Sequence, residues 1–160
     1  MKIMIFTEGT LLMHSGAKCH SREEIVEQVK NREESVRDYR NYIPVGDCLT
    51  KLKKWKDQGI ELFYLTSRRK SEEIEMIRTV LKKYGFPGGQ LLFRKDDEEY
   101  KDVAERILPD ILIEDDCESI GGEKEMTITH VNPKIKPRIK SIFVKEFGGI
   151  DHLPDKISEL

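Results

Sequence analysis

Short apolar runs alternate with amphipathic helical stretches along the chain, and this alternation limits the possible folds more than any other feature. Each run is rich in aliphatic and aromatic residues and is bounded by Gly, Pro or charge, as buried parallel strands are. The predicted strands are 2–6, 60–65, 91–93, 111–113 and 141–144, with a further one at 126–131. Capped helical stretches lie between them, near 21–29, 47–58, 71–84 and 100–108. The pattern predicts an α/β fold with three layers, in which a parallel sheet lies between helices.

One segment interrupts the alternation. About forty residues separate the first strand from the helix at Asp47, whereas a strand-to-helix loop needs only ~2–6. The segment is polar, with KNREESVRDYRN near its centre. We predict a single domain over 1–160, in which 12–45 is either a small helical insertion over the sheet or a long solvated loop.

Charge and cysteine content exclude several classes of protein. The 160 residues carry a formal net charge of −2, which argues against a dedicated nucleic-acid binder. No run of ~18 apolar residues exists, so no membrane span is expected. The three cysteines show neither CxxC spacing nor a close Cys/His set, which predicts reduced thiols in a cytoplasmic protein.

Polar residues follow four of the predicted strands. Because ligands bind outside the carboxyl ends of parallel strands, these residues are the candidates for a site. Carboxylates hold a hard cation, and hydroxyl, backbone N–H and ammonium groups hold phosphate oxygens, so the set predicts Mg²⁺ together with a phosphorylated small molecule. The candidates are Glu8, Gly9 and Thr10 after the first strand, Thr66 and Ser67 after the second, Lys101 after the third, and Asp115 and Asp116 after the fourth.

The order and spacing of these residues resemble the haloacid dehalogenase-like superfamily, whose members are mostly phosphatases. FTEGT stands where that family has DxDGT, FYLTS matches its second motif, and ILIEDD matches its fourth. The third motif is a lysine at the start of a helix, for which Lys101 is the candidate. The resemblance implies a Rossmann-like sheet and identifies 12–45 as a cap-like insertion.

The resemblance also assigns roles to the candidate residues. Glu8, Thr66 and Lys101 would be catalytic, and Glu8, Asp115 and Asp116 would hold Mg²⁺. The phosphate would be bound by Gly9, Thr10, Thr66, Ser67 and Lys101.

The first motif departs from the family at its most important position. Phe6 stands where the family has the Asp that attacks phosphorus, so a phosphoaspartyl intermediate at that position is impossible. Glu8 keeps the second acid of the motif on a longer side chain.

Three hypotheses follow from these observations. The first is an Mg²⁺-dependent phosphohydrolase in which water attacks directly with Glu8 as base. The second is a non-catalytic binding or regulatory module on the same fold. The third is a topoisomerase–primase-like domain, which an apolar strand with Glu-Gly and a later acidic cluster also resembles. A ligand-soaked structure would distinguish the first two, and a basic surface would favour the third.

Overall fold

Five parallel strands form the centre of the molecule. The computed structural model describes residues 1–160, and its main sheet has the order β5-β4-β1-β6-β7. Every neighbouring pair in this sheet is parallel, which confirms the predicted fold class. The strands of the main sheet are β1 (Lys2–Phe6), β4 (Glu61–Leu65), β5 (Gln90–Leu92), β6 (Ile111–Asp115) and β7 (Lys140–Val144). Two short strands, β2 (Leu12–Met13) and β3 (Ile43–Pro44), pair antiparallel outside it.

The helices cover both faces of the sheet. Side chains alternate along a strand, so Ile3 and Ile5 of β1 belong to one apolar cluster while Met4 and Phe6 belong to the other. Because both faces are covered, the strands read as continuous apolar runs. The helices are α1 (Arg22–Lys30), α2 (Cys48–Asp57), α3 (Ser71–Lys83), α4 (Tyr100–Ile107) and α5 (Thr127–His130). None of them is both long enough and apolar enough to cross a membrane.

The expected strand at 126–131 is wrong, because the chain there forms the short helix α5. Two N–H groups at its start, those of Thr127 and Ile128, donate to the Glu114 carboxylate at 2.7 and 3.0 Å. A buried carboxylate from β6 thus satisfies donors that the helix leaves unpaired, which favours helix over strand. A single-sequence pattern does not reveal such a distant partner.

The segment 12–45 is folded and has its own small elements. It begins with β2, contains α1 and three short 3₁₀ turns, and returns through β3. The predicted capping box at the start of α1 is present, because Ser21 and Glu24 each accept a hydrogen bond from the other's backbone N–H. The turn Tyr39–Asn41 packs against α3, so the segment is anchored to the helical layer at the carboxyl end of β4.

Candidate active site

A pocket of about 450 Å³ opens at the carboxyl edge of the sheet. Residues that follow all five parallel strands line it, and the segment 12–45 contributes one side. Parallel strands end at one edge, so the fold itself brings these residues together.

Phe6 occupies the end of β1 and contributes its ring to the pocket floor. It is only 9% exposed, and its ring packs edge-to-face on Tyr100 with the centroids 5.0 Å apart. Its other neighbours belong to an apolar cluster that includes Leu65 and Val103. The position therefore holds a packed aromatic side chain with no atom able to attack phosphorus.

Glu8 follows β1, two residues after Phe6, and is held by donors from Thr7 and from the loop after β4. Its carboxylate accepts hydrogen bonds from Thr66 Oγ1 at 2.6 Å, Ser67 N at 3.0 Å and Thr7 Oγ1 at 2.6 Å. The guanidinium of Arg68 adds an ion pair, with Nε 3.5 Å from Glu8 Oε1. These four partners fix the side chain in place, and three of them donate hydrogen bonds to its carboxylate.

Two arginines converge on Ser67, and each is supported by an aromatic ring. Arg68 donates to Ser67 Oγ at 2.7 Å and lies 4.4 Å from the Tyr39 ring centroid. Arg94 donates to the Ser67 carbonyl at 3.4 Å and lies 3.8 Å from the Tyr100 ring centroid. Stacking on aromatic rings holds the planar guanidinium groups in a defined orientation.

Arg94 has an unsatisfied donor. Its Nε is buried without a hydrogen-bond partner, which is costly for an N–H group. Burial lowers the pKa of Arg94, and the charges of Arg69 and Arg68 act in the same direction. An anion between Arg68 and Arg94 would relieve both the missing hydrogen bond and the repulsion between like charges.

Lys101 does not join this group. Its ammonium forms an ion pair with Glu99 at 2.9 Å, and its side chain is 38% exposed. The hydrogen bond that Lys101 donates to Glu99 raises the pKa of Lys101. The structure therefore places Arg94, and not Lys101, as the cation after β5 that lines the pocket.

Asp115 is the last residue of β6, the strand next to β1, and its side chain lines the pocket. Its Oδ2 accepts from Thr10 Oγ1 at 3.0 Å, and its Oδ1 accepts from Cys117 N at 3.0 Å. Gly9 is required beside it, because a Cβ there would lie 2.6 Å from Asp115 Oδ2 and the residue has φ +84°. Burial raises the pKa of Asp115 to about 6.

Asp116 is separated from Asp115 by its own partners. Its carboxylate accepts from Lys145 Nζ at 2.9 Å and from Glu146 N at 3.0 Å. Although partial burial acts in the opposite direction, these two contacts hold the pKa of Asp116 below its usual value. Lys145, which directly follows β7, is thus the positive partner of Asp116 and does not pair with Asp115.

The residues present do not fit the Mg²⁺ site that the resemblance implies. Hard-cation sites need several oxygen ligands around one point. No group of three or more His, Cys, Asp or Glu side chains is arranged to hold a metal ion. Glu8 is held by Arg68 and the loop after β4, and Asp116 is held by Lys145, so only Asp115 of the three expected ligands lacks a charged partner.

Of the five phosphate-binding residues expected from the sequence, Gly9 and Ser67 line the pocket. Thr10 and Thr66 are fully buried beneath it, where their hydroxyls donate to Asp115 and Glu8. Several other side chains that were not among the candidates also line the pocket. These are Arg68, Arg94, Tyr100, Glu114, Glu146 and, from the segment 12–45, His14 and Tyr39. The sequence does carry a signal for Arg94, because this residue directly follows the predicted strand 91–93 and so belongs at the carboxyl edge of the sheet.

The stability of the protein is expected to depend on the ionisation of Asp115. Its pKa is about 6 in the folded state, against an ordinary value of 3.8. Between these pH values the folded chain binds more protons than the unfolded chain, so the free energy of unfolding falls as pH rises from about 4 to about 6. Two pKa units correspond to at most about 3 kcal/mol.

Urea unfolding of the wild type and of Asp115→Asn at pH 4 and pH 7 measures this contribution. The amide keeps the size of the side chain but does not titrate. The free energy of unfolding of Asp115→Asn should therefore fall less between pH 4 and pH 7 than that of the wild type. Equal losses in the two proteins would contradict the raised pKa.

No family model matches the chain, and no curated protein matches it in sequence. Solved structures do match it. The class C acid phosphatase from Bacillus anthracis with tungstate bound covers 92% of this chain and 68% of its own, at 14% identity and a TM-score of 0.59. A second structure of that phosphatase gives a TM-score of 0.60 at 15% identity, covering 92% of this chain and 67% of its own. The Pnkp1/Rnl/Hen1 complex matches over 90% of this chain and 46% of its own, at 15% identity and a TM-score of 0.55. Identities this low establish a common fold and nothing finer.

Proposed function

We propose that this protein, which has the haloacid dehalogenase-like fold, binds a phosphorylated small molecule in the pocket and does not form a phosphoaspartyl intermediate. The observation that carries the proposal is the pair Arg68 and Arg94, which converge on Ser67 while Arg94 Nε lacks a partner. A phosphate group supplies the acceptor that Arg94 Nε lacks and a negative charge for Arg94, which forms no ion pair. The structural neighbours that are acid phosphatases support a phosphate ligand on this fold.

The proposal assigns different tasks to the residues around the arginines. Phe6 and Tyr100 form an apolar floor, and Glu8 holds Arg68 and the loop at Ser67 in position. Segment 12–45 serves as the cap, because Arg37 and Tyr39 line the pocket from that side. Mg²⁺ has no part in the proposal, since the expected ligands are engaged elsewhere. The proposal includes the cytoplasmic location expected from the sequence. All three cysteines are free thiols, as suits a reducing compartment.

Calorimetry with phenyl phosphate, inorganic phosphate and phenol tests the proposal. We expect both phosphates to bind and phenol to bind far more weakly, without added metal. Arg94→Gln should weaken phosphate binding by about tenfold or more, because hydrogen bonds to a charged group are worth ~1.5–3 kcal/mol.

Arg78→Gln is the matched control, since Arg78 lies on the exposed face of α3 and pairs only with Glu75. It should bind phosphate as the wild type does. No phosphate binding at millimolar concentration, or equal losses in the two variants, would contradict the proposal.

A second function is supported by Asp115. A carboxyl group with a pKa of about 6 inside a pocket is able to act as a general base near neutral pH. A phosphohydrolase in which a carboxylate activates water is therefore the alternative. In that case the wild type would hydrolyse phenyl phosphate with a rate that rises through pH 6, and Asp115→Asn would abolish this rise. Phenyl phosphate that stays intact during binding would favour the first proposal.

A further inference from the structure

The carboxyl edge of the sheet is divided by charge. Arg94 follows β5 and Arg68 follows β4, so the arginines lie over one half of the sheet. The carboxylates of Glu114 and Asp115 at the end of β6, and of Glu146 after β7, lie over the other half. The two halves meet at β1, where Phe6 forms the floor between them. All five side chains line the same pocket.

The three carboxylates have no cationic partner. Glu114 accepts from two N–H groups of α5, Asp115 from Thr10 and Cys117, and Glu146 from Ser119 at 2.6 and 2.7 Å. They form no ion pair, although they are only 2%, 7% and 6% exposed. Burial raises the pKa of all three. This half of the pocket therefore holds three buried carboxyl groups that pair with no basic side chain of the chain.

A second observation also indicates a missing ligand group. His14 lines the same pocket from the segment 12–45 and is 1% exposed. Its Nδ1 is hydrogen-bonded to Ser35 Oγ at 2.9 Å, whereas its Nε2 is buried without a partner. A polar group of a ligand in the pocket would satisfy this atom, as it would satisfy Arg94 Nε.

We propose that the ligand is a phosphate monoester that also carries a positively charged nitrogen, with its phosphate at Arg68 and Arg94 and its ammonium group at Asp115 and Glu146. The inference rests on the proposed function and adds the chemical class of the ligand. β4 and β6 are separated by one strand, so the two charged ends of the ligand would lie about 10 Å apart. The apolar floor of Phe6 and Tyr100 would contact the chain between them.

Competitive calorimetry with 6-aminohexyl phosphate, hexyl phosphate and hexylamine tests this inference on the full chain. We expect 6-aminohexyl phosphate to bind at least about tenfold more tightly than hexyl phosphate, because the ammonium gains a partly desolvated charge pair. Hexylamine alone should bind weakly. Glu146→Gln and Asp115→Asn should each reduce the advantage of the amine, whereas Arg94→Gln should weaken both phosphates equally.

Glu118→Gln is the control, since Glu118 lies in the loop that follows Asp115 but forms a surface ion pair with Arg22. It should keep the full advantage of the amine. Equal binding of the two phosphates would overturn the inference and leave the proposed function standing. No binding of either phosphate would overturn both. An advantage that survives in Glu146→Gln and in Asp115→Asn would overturn the inference as well.

Discussion

Phe6→Asp is expected to lower the free energy of unfolding by about 3–5 kcal/mol or more, because large-to-small changes in a core cost this much and the new carboxylate would be buried. It should not create phosphatase activity. The substitution restores the carboxylate at the end of β1, but Lys101 pairs with Glu99 outside the pocket and Glu8 is held by Arg68. A nucleophile contributes only when the groups around it are assembled.

Urea unfolding measures the loss, and incubation with phenyl phosphate and Mg²⁺ followed by acid quenching detects a phosphoenzyme. Phe6→Leu is the control, since it removes the contact with the Tyr100 ring but keeps an apolar side chain. It should cost less than Phe6→Asp and leave phosphate binding in place. A folded Phe6→Asp protein that hydrolyses phosphates and traps an aspartyl phosphate would show that a working site survives, contrary to the binding proposal.

Glu8→Ala is expected to cost about 2–3 kcal/mol of stability. The substitution leaves Arg68, Thr66 Oγ1 and Ser67 N without their shared acceptor. Breaking a fully buried ion pair costs ~3–5 kcal/mol. The cost is smaller here because the Arg68 side chain is 25% exposed, so solvent screens its charge. Phosphate binding should also weaken, since the loop at Ser67 and the guanidinium of Arg68 lose their support.

Glu75→Ala provides the comparison, because it removes an ion pair with Arg78 on the exposed face of α3. Surface pairs contribute about 0–1 kcal/mol, so this variant should unfold nearly as the wild type does. Losses of similar size in the two variants would show that Glu8 is not the organising residue of this edge.

Position along the chain predicted which strand end each candidate follows, but not which way its side chain points. Asp115 and Asp116 are adjacent, and neighbouring residues of an extended chain face opposite directions. Asp115 accordingly lines the pocket and accepts a hydrogen bond from Thr10 beneath it, whereas Asp116 contacts Lys145. The expected joint metal role of the two acids would have required both carboxylates to turn to one side.

The same reasoning explains Lys101. α4 begins at Tyr100, and successive residues of a helix differ by about 100° in direction. Tyr100 faces Phe6 and Arg94, so the next residue turns away toward Glu99. The sequence predicted that Lys101 is the cation after β5 that reaches the site. In the structure, Arg94 is the cation after β5 that lines the pocket.

The sequence by itself determined the fold class of this protein, because the alternation of apolar runs and amphipathic stretches depends on periods of about 2 and 3.6 residues that are local properties of the chain. It also determined that Phe6 cannot be a nucleophile, since that follows from the identity of one side chain. Only the tertiary structure decided which charges meet. Arg68 and Arg94 lie over β4 and β5, whereas the carboxyl groups without ion pairs lie over β6 and β7. These strands are far apart in the sequence, so the contacts of their side chains depend on strand order and side-chain direction. Electrostatic interactions act over a few ångströms in space, and distance along the chain does not fix that separation.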